Sequence, residues 1–379
     1  MVERPPRVPE MLFGAIGYFL PRLMFLNARY APQVHWGDVA LALDGLHGDP
    51  ANASSAAFWD EWRARWVAQA HRYEQLAVES STAAGRTRAL RGAAACYHWA
   101  EFMDFGDPGR KFALRCRIRE CFLASTALEL IPGMLAGPHR VPYWLVLPPG
   151  GRTADPMPCV ILCNGLDSMT EIEMLSLAEP YLERGCAALL FDGPGQGIHV
   201  GQVPLLIEME RVVAALVEVL RADHRVDATR LAFLGVSFGG YLALRVAQQL
   251  GEAFDCVVNL SGGPRIAPFA GLPRRLKDDF RFAFHGGDAR DMQARFDALA
   301  LEPAVPPCTE VLSIHGALDD IFPLPFLREL DLAWGARHRL VVHDREAHAC
   351  LNLINECVLQ AADWVADRVL PARQLMEVP

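Results

Sequence analysis

From about residue 127 onward, short apolar runs bounded by Gly, Pro, Asn and Asp alternate with longer stretches of helical periodicity, and this alternation is the strongest constraint on the fold. Tyr143 to Leu147 reads as a strand ending at Pro148-Pro149-Gly150-Gly151. Further strands are expected at Cys159 to Cys163, Ala187 to Phe191, Leu231 to Val236, Cys256 to Leu260, Val311 to Ile314 and Leu340 to Val342. Amphipathic runs such as Leu205 to Leu220 and Tyr241 to Leu250 lie between them. Continuous apolar strands separated by helices predict an α/β architecture, with a mostly parallel sheet covered on both faces.

The first third differs. Phe58, Trp59, Trp62, Trp66 and Ala70 recur at helical spacing, behind the N-cap candidates Asn52, Ser54 and Ser55. A second run, Ala93 to Phe105, groups Cys96, Tyr97, Ala100, Phe102 and Met103 near one face before Gly106-Asp107-Pro108-Gly109 breaks the chain. Two domains follow: an all-helical one over 1–126 and a strand-and-helix one over 127–379. Segment 264–309 is rich in Phe, Arg and Pro and admits two readings, a lid over a site or a surface excursion of helices. No internal repeat or low-complexity tract is present.

Composition removes several function classes. With 379 residues and 52% hydrophobic content, the chain can bury a large core. A formal net charge of −9, without a local basic run, leaves no electrostatic footprint for nucleic acid. None of the ten cysteines forms a Cys-x-x-Cys pair, so no metal site is expected. Their place in apolar runs suits reduced thiols in a cytoplasmic protein. Met11 to Leu20 resembles a short signal segment. Glu3, Glu10, Gly14, Gly17 and Pro21 argue against that reading, and the run is too short to span a bilayer. No membrane partner is expected.

The chemistry centres on Gly235-Val236-Ser237-Phe238-Gly239, between the Leu231 strand and a helix opening at Gly240-Tyr241. A serine on a sharp strand-to-helix turn, flanked by small residues, stands exposed at the carboxyl end of a sheet. Serine needs a base, and the base needs an orienting acid. Asp319, in His315-Gly316-Ala317-Leu318-Asp319, follows the Val311 strand and is the candidate acid, with Asp320 as rival. His348 follows the last strand and is the candidate base, with His343 as rival. Two backbone N–H groups should form an oxyanion hole: Phe238, after the serine, and Leu166 (or Asp167), in the turn after Cys163. Asp192-Gly193-Pro194-Gly195-Gln196-Gly197 lacks a phosphate-loop ending and reads as a tight turn past the site mouth. Trp99 and Phe102 are candidate pocket walls, with helix-core packing as the competing use.

Asn164 to Ser168, Glu171, Phe191 to Gly197 and the elbow Gly235 to Gly240 together resemble one α/β-hydrolase group. It includes a hydrolase of nicotine breakdown and the chain-shortening hydrolases of fungal pigment polyketides. Fermentation–respiration switch proteins are more distant relatives. Trp36-Gly37-Asp38, Phe58 to Trp62 and Cys96 to Phe102 resemble its helical domain. The resemblance implies a doubly wound hydrolase core under an N-terminal helical cap, a homodimer, a small-molecule substrate and no cofactor. It places the group's Ser, Asp and His on Ser237, Asp319 and His348. It also implies cleavage of esters, thioesters or ketone-adjacent carbon–carbon bonds. One member uses an extra glutamate between nucleophile and acid; Ser261 to Pro268 offers no carboxylate for that role. The same apparatus would serve a cyclase or acyltransferase, and a binding protein that has lost the chemistry is the alternative of another class.

Overall fold

The computed structural model describes residues 28–46, 56–102, 104–137, 140–149 and 155–370. Met11 to Leu20, Met103 and the N-cap candidates Asn52, Ser54 and Ser55 lie outside them. The chain divides into two compact units, Met1–Ala127 and Leu128–Pro379.

The first unit is helical. Helix α1 spans Trp36–Leu43, α2 Ala56–Glu79, α3 Ala83–Glu101 and α4 Pro108–Leu123. On α2, Phe58, Trp62, Trp66 and Ala70 form the buried stripe that their spacing predicts. Trp62 donates its indole N–H to the Trp99 carbonyl at 2.7 Å, tying α2 to α3. Asp38 ties α1 to α2 by accepting from Gln69 Nε2 and Tyr73 Oη, both at 2.8 Å. Helix α3 begins ten residues before the expected run. Its first turns are rich in Ala and Arg, strong helix formers that carry no apolar stripe. The Gly106–Gly109 break is also a start signal, because Asp107 caps α4 through the Arg110 N–H and Pro108 occupies the first turn.

The second unit holds one eight-stranded sheet in the order β1-β2-β4-β3-β5-β6-β7-β8. The strands are β1 Leu130–Met134, β2 Pro142–Val146, β3 Met157–Cys163, β4 Ala187–Phe191, β5 Val226–Val236, β6 Cys256–Leu260, β7 Glu310–Gly316 and β8 His338–His343. The β1/β2 and β2/β4 pairs are antiparallel, and every pair from β4 to β8 is parallel. All residues of β3, β4 and β6 are buried, as strands covered on both faces must be. The helices are α5 Leu175–Glu183, α6 Glu210–Ala222, α7 Phe238–Leu250, α8 Arg274–Ala283, α9 Ala289–Leu299, α10 Leu324–Trp334 and α11 Ile354–Val369. Strand β1 was not anticipated, because Pro132-Gly133 reads as a breaker; at the sheet edge proline is tolerated. Helix α6 starts at Glu210 rather than Leu205, whose N–H instead donates to the Ala283 carbonyl of α8 at 2.8 Å.

Segment 264–309 contains α8 and α9 and is packed on the core through aromatic rings. Phe280 meets Phe238 at 6.4 Å between centroids and Phe296 at 4.7 Å, and Phe296 meets Phe269 at 5.6 Å. Among the described residues, no helix is long and apolar enough to cross a membrane.

The helical unit contains a fully buried cluster of charge. Glu101 Oε2 sits 2.6 Å from Lys111 Nζ and 3.1 Å from Arg115 Nε, with all three side chains at most 1% exposed. Burial alone would raise the Glu101 carboxyl. The two cations, with His98, hold it well below its ordinary range. Removing one partner from such a group leaves buried charge uncompensated, which costs about 3–5 kcal/mol. Glu101→Leu is therefore expected to lower stability by about 3 kcal/mol or more in urea unfolding, well beyond the loss from a surface Glu→Leu change.

Candidate active site

The sharp turn expected at Ser237 is present. Strand β5 ends at Val236 and α7 begins at Phe238, leaving Ser237 between them at φ 58°, ψ −118°. A non-glycine residue there is strained by roughly 1–3 kcal/mol, and the surroundings must impose it. Two backbone bonds do so: Ser237 N–H donates to the Leu260 carbonyl at 2.8 Å, and Tyr241 N–H donates to the Ser237 carbonyl at 3.0 Å. The flanking glycines allow the close passage of strand and helix. A Cβ on Gly235 would lie 1.8 Å from the Gly239 carbonyl oxygen, and one on Gly239 would lie 2.3 Å from that of Cys163.

The structure brings Ser237, His348 and Asp319 together. His348 Nε2 is 2.8 Å from Ser237 Oγ, and His348 Nδ1 is 2.8 Å from Asp319 Oδ2. Asp319 Oδ1 accepts from the Ile321 and Phe322 N–H groups, both at 2.9 Å, so both carboxylate oxygens are fixed. Burial pushes the Asp319 carboxyl up, but the His348 and His315 imidazoles and the Phe322 N–H bring it below its ordinary value. The carboxylate is thus ionised and aimed at one ring nitrogen of His348. The loops that carry Asp319 and His348 are joined: Ala317 N–H donates to the His343 carbonyl at 3.0 Å and Leu318 N–H to that of Glu346 at 2.9 Å. The Glu346 side chain is buried and accepts from the Asn352 N–H at 3.1 Å, closing the His348 loop on itself. His348 opens a short 3-10 turn rather than running into a helix at Leu351; α11 starts only at Ile354, because Ala349 and Cys350 take left-handed φ of 64° and 48°.

The rivals sit elsewhere. Asp320 is exposed, and His343 Nε2 lies 3.6 Å from Cys357 Sγ. The Asn164-Gly165-Leu166 turn follows β3 beside Ser237, where a Cβ on Gly165 would lie 3.4 Å from Ser237 Cβ. Phe238 N–H is the first of α7, a position for which a helix supplies no acceptor. Trp99 and Phe102 are buried in the helical unit, edge to face at 5.1 Å, with His98 against both.

Two neighbours of the site have a larger part than the sequence indicates. His315, inside β7, lies 3.7 Å from Asp319 Oδ2 and pairs its Nε2 with the Phe322 carbonyl at 2.8 Å. The Asp192–Gly197 turn does more than pass the mouth: Asp192 and Gln196 hydrogen-bond the Asn164-Gly165 turn. The available signal was a carboxylate and an amide inside a Gly-Pro turn that follows a fully apolar strand.

The family model described as esterase FrsA-like matches residues 59–267, more than half of the chain. The chain belongs to that family. The prolyl oligopeptidase family model also matches, over residues 211–369. The FrsA-like chain is 27% identical to the 2,6-dihydropseudooxynicotine hydrolase of Paenarthrobacter nicotinovorans, over 93% of its own length and 97% of that protein's. It is 31% identical to a 20-hydroxy-prefusarin hydrolase of Gibberella moniliformis, over 50% of its length and 49% of that protein's. The crystal structure of a 2,6-dihydroxy-pseudo-oxynicotine hydrolase superposes with a TM-score of 0.74 at 23% identity, covering 89% of this chain and 93% of that one. The resemblance read from the motifs is borne out. This FrsA-like protein is an enzyme of the hydrolase class on an α/β-hydrolase fold.

Burial lowers the His315 pKa below its ordinary 6.5, an effect that Asp319 and the Phe322 carbonyl only partly offset. The folded chain therefore keeps His315 neutral where the unfolded chain takes up a proton. The stability from this group is fully present above pH 6.5 and falls as pH drops below it. The expected outcome is a stability loss on acidification from pH 7 to 5, measured by urea unfolding. Its slope should be shallower in His315→Gln.

Proposed function

We propose that the protein is a serine hydrolase acting through an acyl-enzyme on Ser237. The observation that carries this reading is the unbroken hydrogen-bonded chain from Asp319 through His348 to Ser237, at 2.8 Å and 2.8 Å, ending on a serine at positive φ. His348, its tautomer set by Asp319, accepts the Ser237 proton as Oγ attacks a carbonyl carbon. Negative charge develops on the carbonyl oxygen, and the Phe238 and Leu166 N–H groups stabilise it. His348 then returns the proton to the leaving group. Water, deprotonated by the same imidazole, attacks the acyl-enzyme and releases the acid. The start of α7 at Phe238 adds a favourable dipole beside the developing charge.

For substrate, the reading is a small aromatic or polyketide-like compound, cleaved at an ester, thioester or carbon–carbon bond next to a ketone. Its support is the substrates after which the two relatives above are named. The bond type differs in one electronic respect. Ester and thioester cleavage release an oxyanion or thiolate. Cleavage beside a ketone releases an enolate, which His348 protonates on carbon. The reading further includes a cytoplasmic location and a homodimer, and light scattering on the purified protein tests the dimer.

A fluorophosphonate probe is expected to label wild type on Ser237 and to leave Ser237→Ala unlabelled. Asp319→Asn should lower kcat by about 10⁴-fold with the fold intact, because the wrong imidazole tautomer would face Ser237. Wild-type activity in Ser237→Ala would sink the serine mechanism.

A further inference from the structure

Gln196 is fully buried and takes no part in the Ser237–His348–Asp319 chain. Its Nε2 donates to two successive carbonyls of the turn after β3, Asn164 O at 2.6 Å and Gly165 O at 3.1 Å. Its Oε1 lies 3.7 Å from the Cys163 thiol, the last residue of β3. Both hydrogens of one side-chain amide are thus committed to neighbouring peptide groups.

A trans peptide is planar, and its N–H points opposite to its C=O. The N–H that shares a plane with the Asn164 carbonyl belongs to Gly165, and the one that shares a plane with the Gly165 carbonyl belongs to Leu166. Holding both carbonyls toward Gln196 turns both N–H groups away from it. A glycine-containing turn would otherwise flip these peptides at little cost. The rest of the turn is anchored by Asp192. Its Oδ1 accepts from Asn164 Nδ2 at 2.8 Å and Thr170 Oγ1 at 2.6 Å, and its Oδ2 accepts from Ile198 N–H at 3.0 Å. Gln196 N–H donates to the Gly193 carbonyl at 2.9 Å, which fixes the base of its own side chain.

We infer that Gln196 is a positioning residue that clamps the Asn164 and Gly165 carbonyls and so presents the Leu166 N–H as an oxyanion donor. The inference rests on the serine-hydrolase reading and extends it to a side chain that touches no substrate. It also makes a backbone donor accessible to mutagenesis, since the clamp can be removed although the N–H cannot.

The variant is Gln196→Met, which keeps the length of the side chain and removes its donors. Hydrolysis of p-nitrophenyl butyrate is followed and normalised to the number of Ser237 sites titrated to completion with a fluorophosphonate. Benzeneboronic acid, which forms a tetrahedral adduct on the serine, reports on the oxyanion hole. The expected result is a kcat lowered roughly 10- to 100-fold with KM within about threefold, and a boronate Ki raised by a similar factor. Wild-type kcat per titrated site together with an unchanged Ki would overturn the clamp. A glutamine that only supported folding would lower the titratable fraction and leave both values intact. If Gln196→Met gives no soluble protein, Gln196→Glu, which has the same shape but only accepts when ionised, is read by the same two values. The two readings fail separately. Wild type unlabelled at Ser237 removes the serine mechanism, whereas labelled wild type with an unaffected variant removes the clamp alone.

Discussion

Parallel pairing in register is the constraint on which the candidate site depends. Cys163, Gly235, Asn259, Ser313 and Leu340 are successive neighbours across β3, β5, β6, β7 and β8, and lie on one level of the sheet. Every chemically significant loop leaves from just above that level. Asn164 follows Cys163 directly, Ser237 comes two residues after Gly235, and the Asp319 and His348 loops come from β7 and β8. Because side chains alternate along a strand, a slip of one residue in any pair would turn its core face to the other side. The hydrophobic burial of β3, β4 and β6 therefore fixes the positions of the polar groups above them, although it contributes nothing to their chemistry directly.

That dependence explains what was legible in the sequence. The six strands from β3 to β8 are short apolar runs with clear stops, and each candidate triad member sits a few residues beyond one of them. Ser237, Asp319 and His348 could be named without knowing any distance. Strand β1 was missed because its Pro-Gly centre looks like a turn until its edge position is known. The start of α6 was misplaced because Leu205 continues an apolar periodicity whose actual partner is α8. Gln196 and His315 were passed over for a deeper reason. Their role lies in which way a buried side chain points, and local pattern does not encode that. The Asp192–Gly197 turn was found but given too small a part, since its partners lie about thirty residues earlier in the chain.

Strain and its restraint recur around Ser237. Ser237 is held at positive φ by bonds to Leu260 and Tyr241, while Gly235 and Gly239 permit a passage that any Cβ would block. Segment 264–309 adds side-chain packing to the same point, because Phe280 rests on Phe238, the residue directly after the serine. Sequence left that segment open between lid and surface excursion. Its aromatic anchoring gives it a packing role whichever of the two it is.

The backbone bonds from Ala317 to His343 and from Leu318 to Glu346 have a mechanical meaning. They join the Asp319 loop to the His348 loop directly, so the two candidate residues share one local frame. Ser237 is carried by another local element, the β5–α7 elbow. The contact between Asp319 and His348 therefore lies within the joined loops, whereas the contact between His348 and Ser237 bridges from them to the elbow.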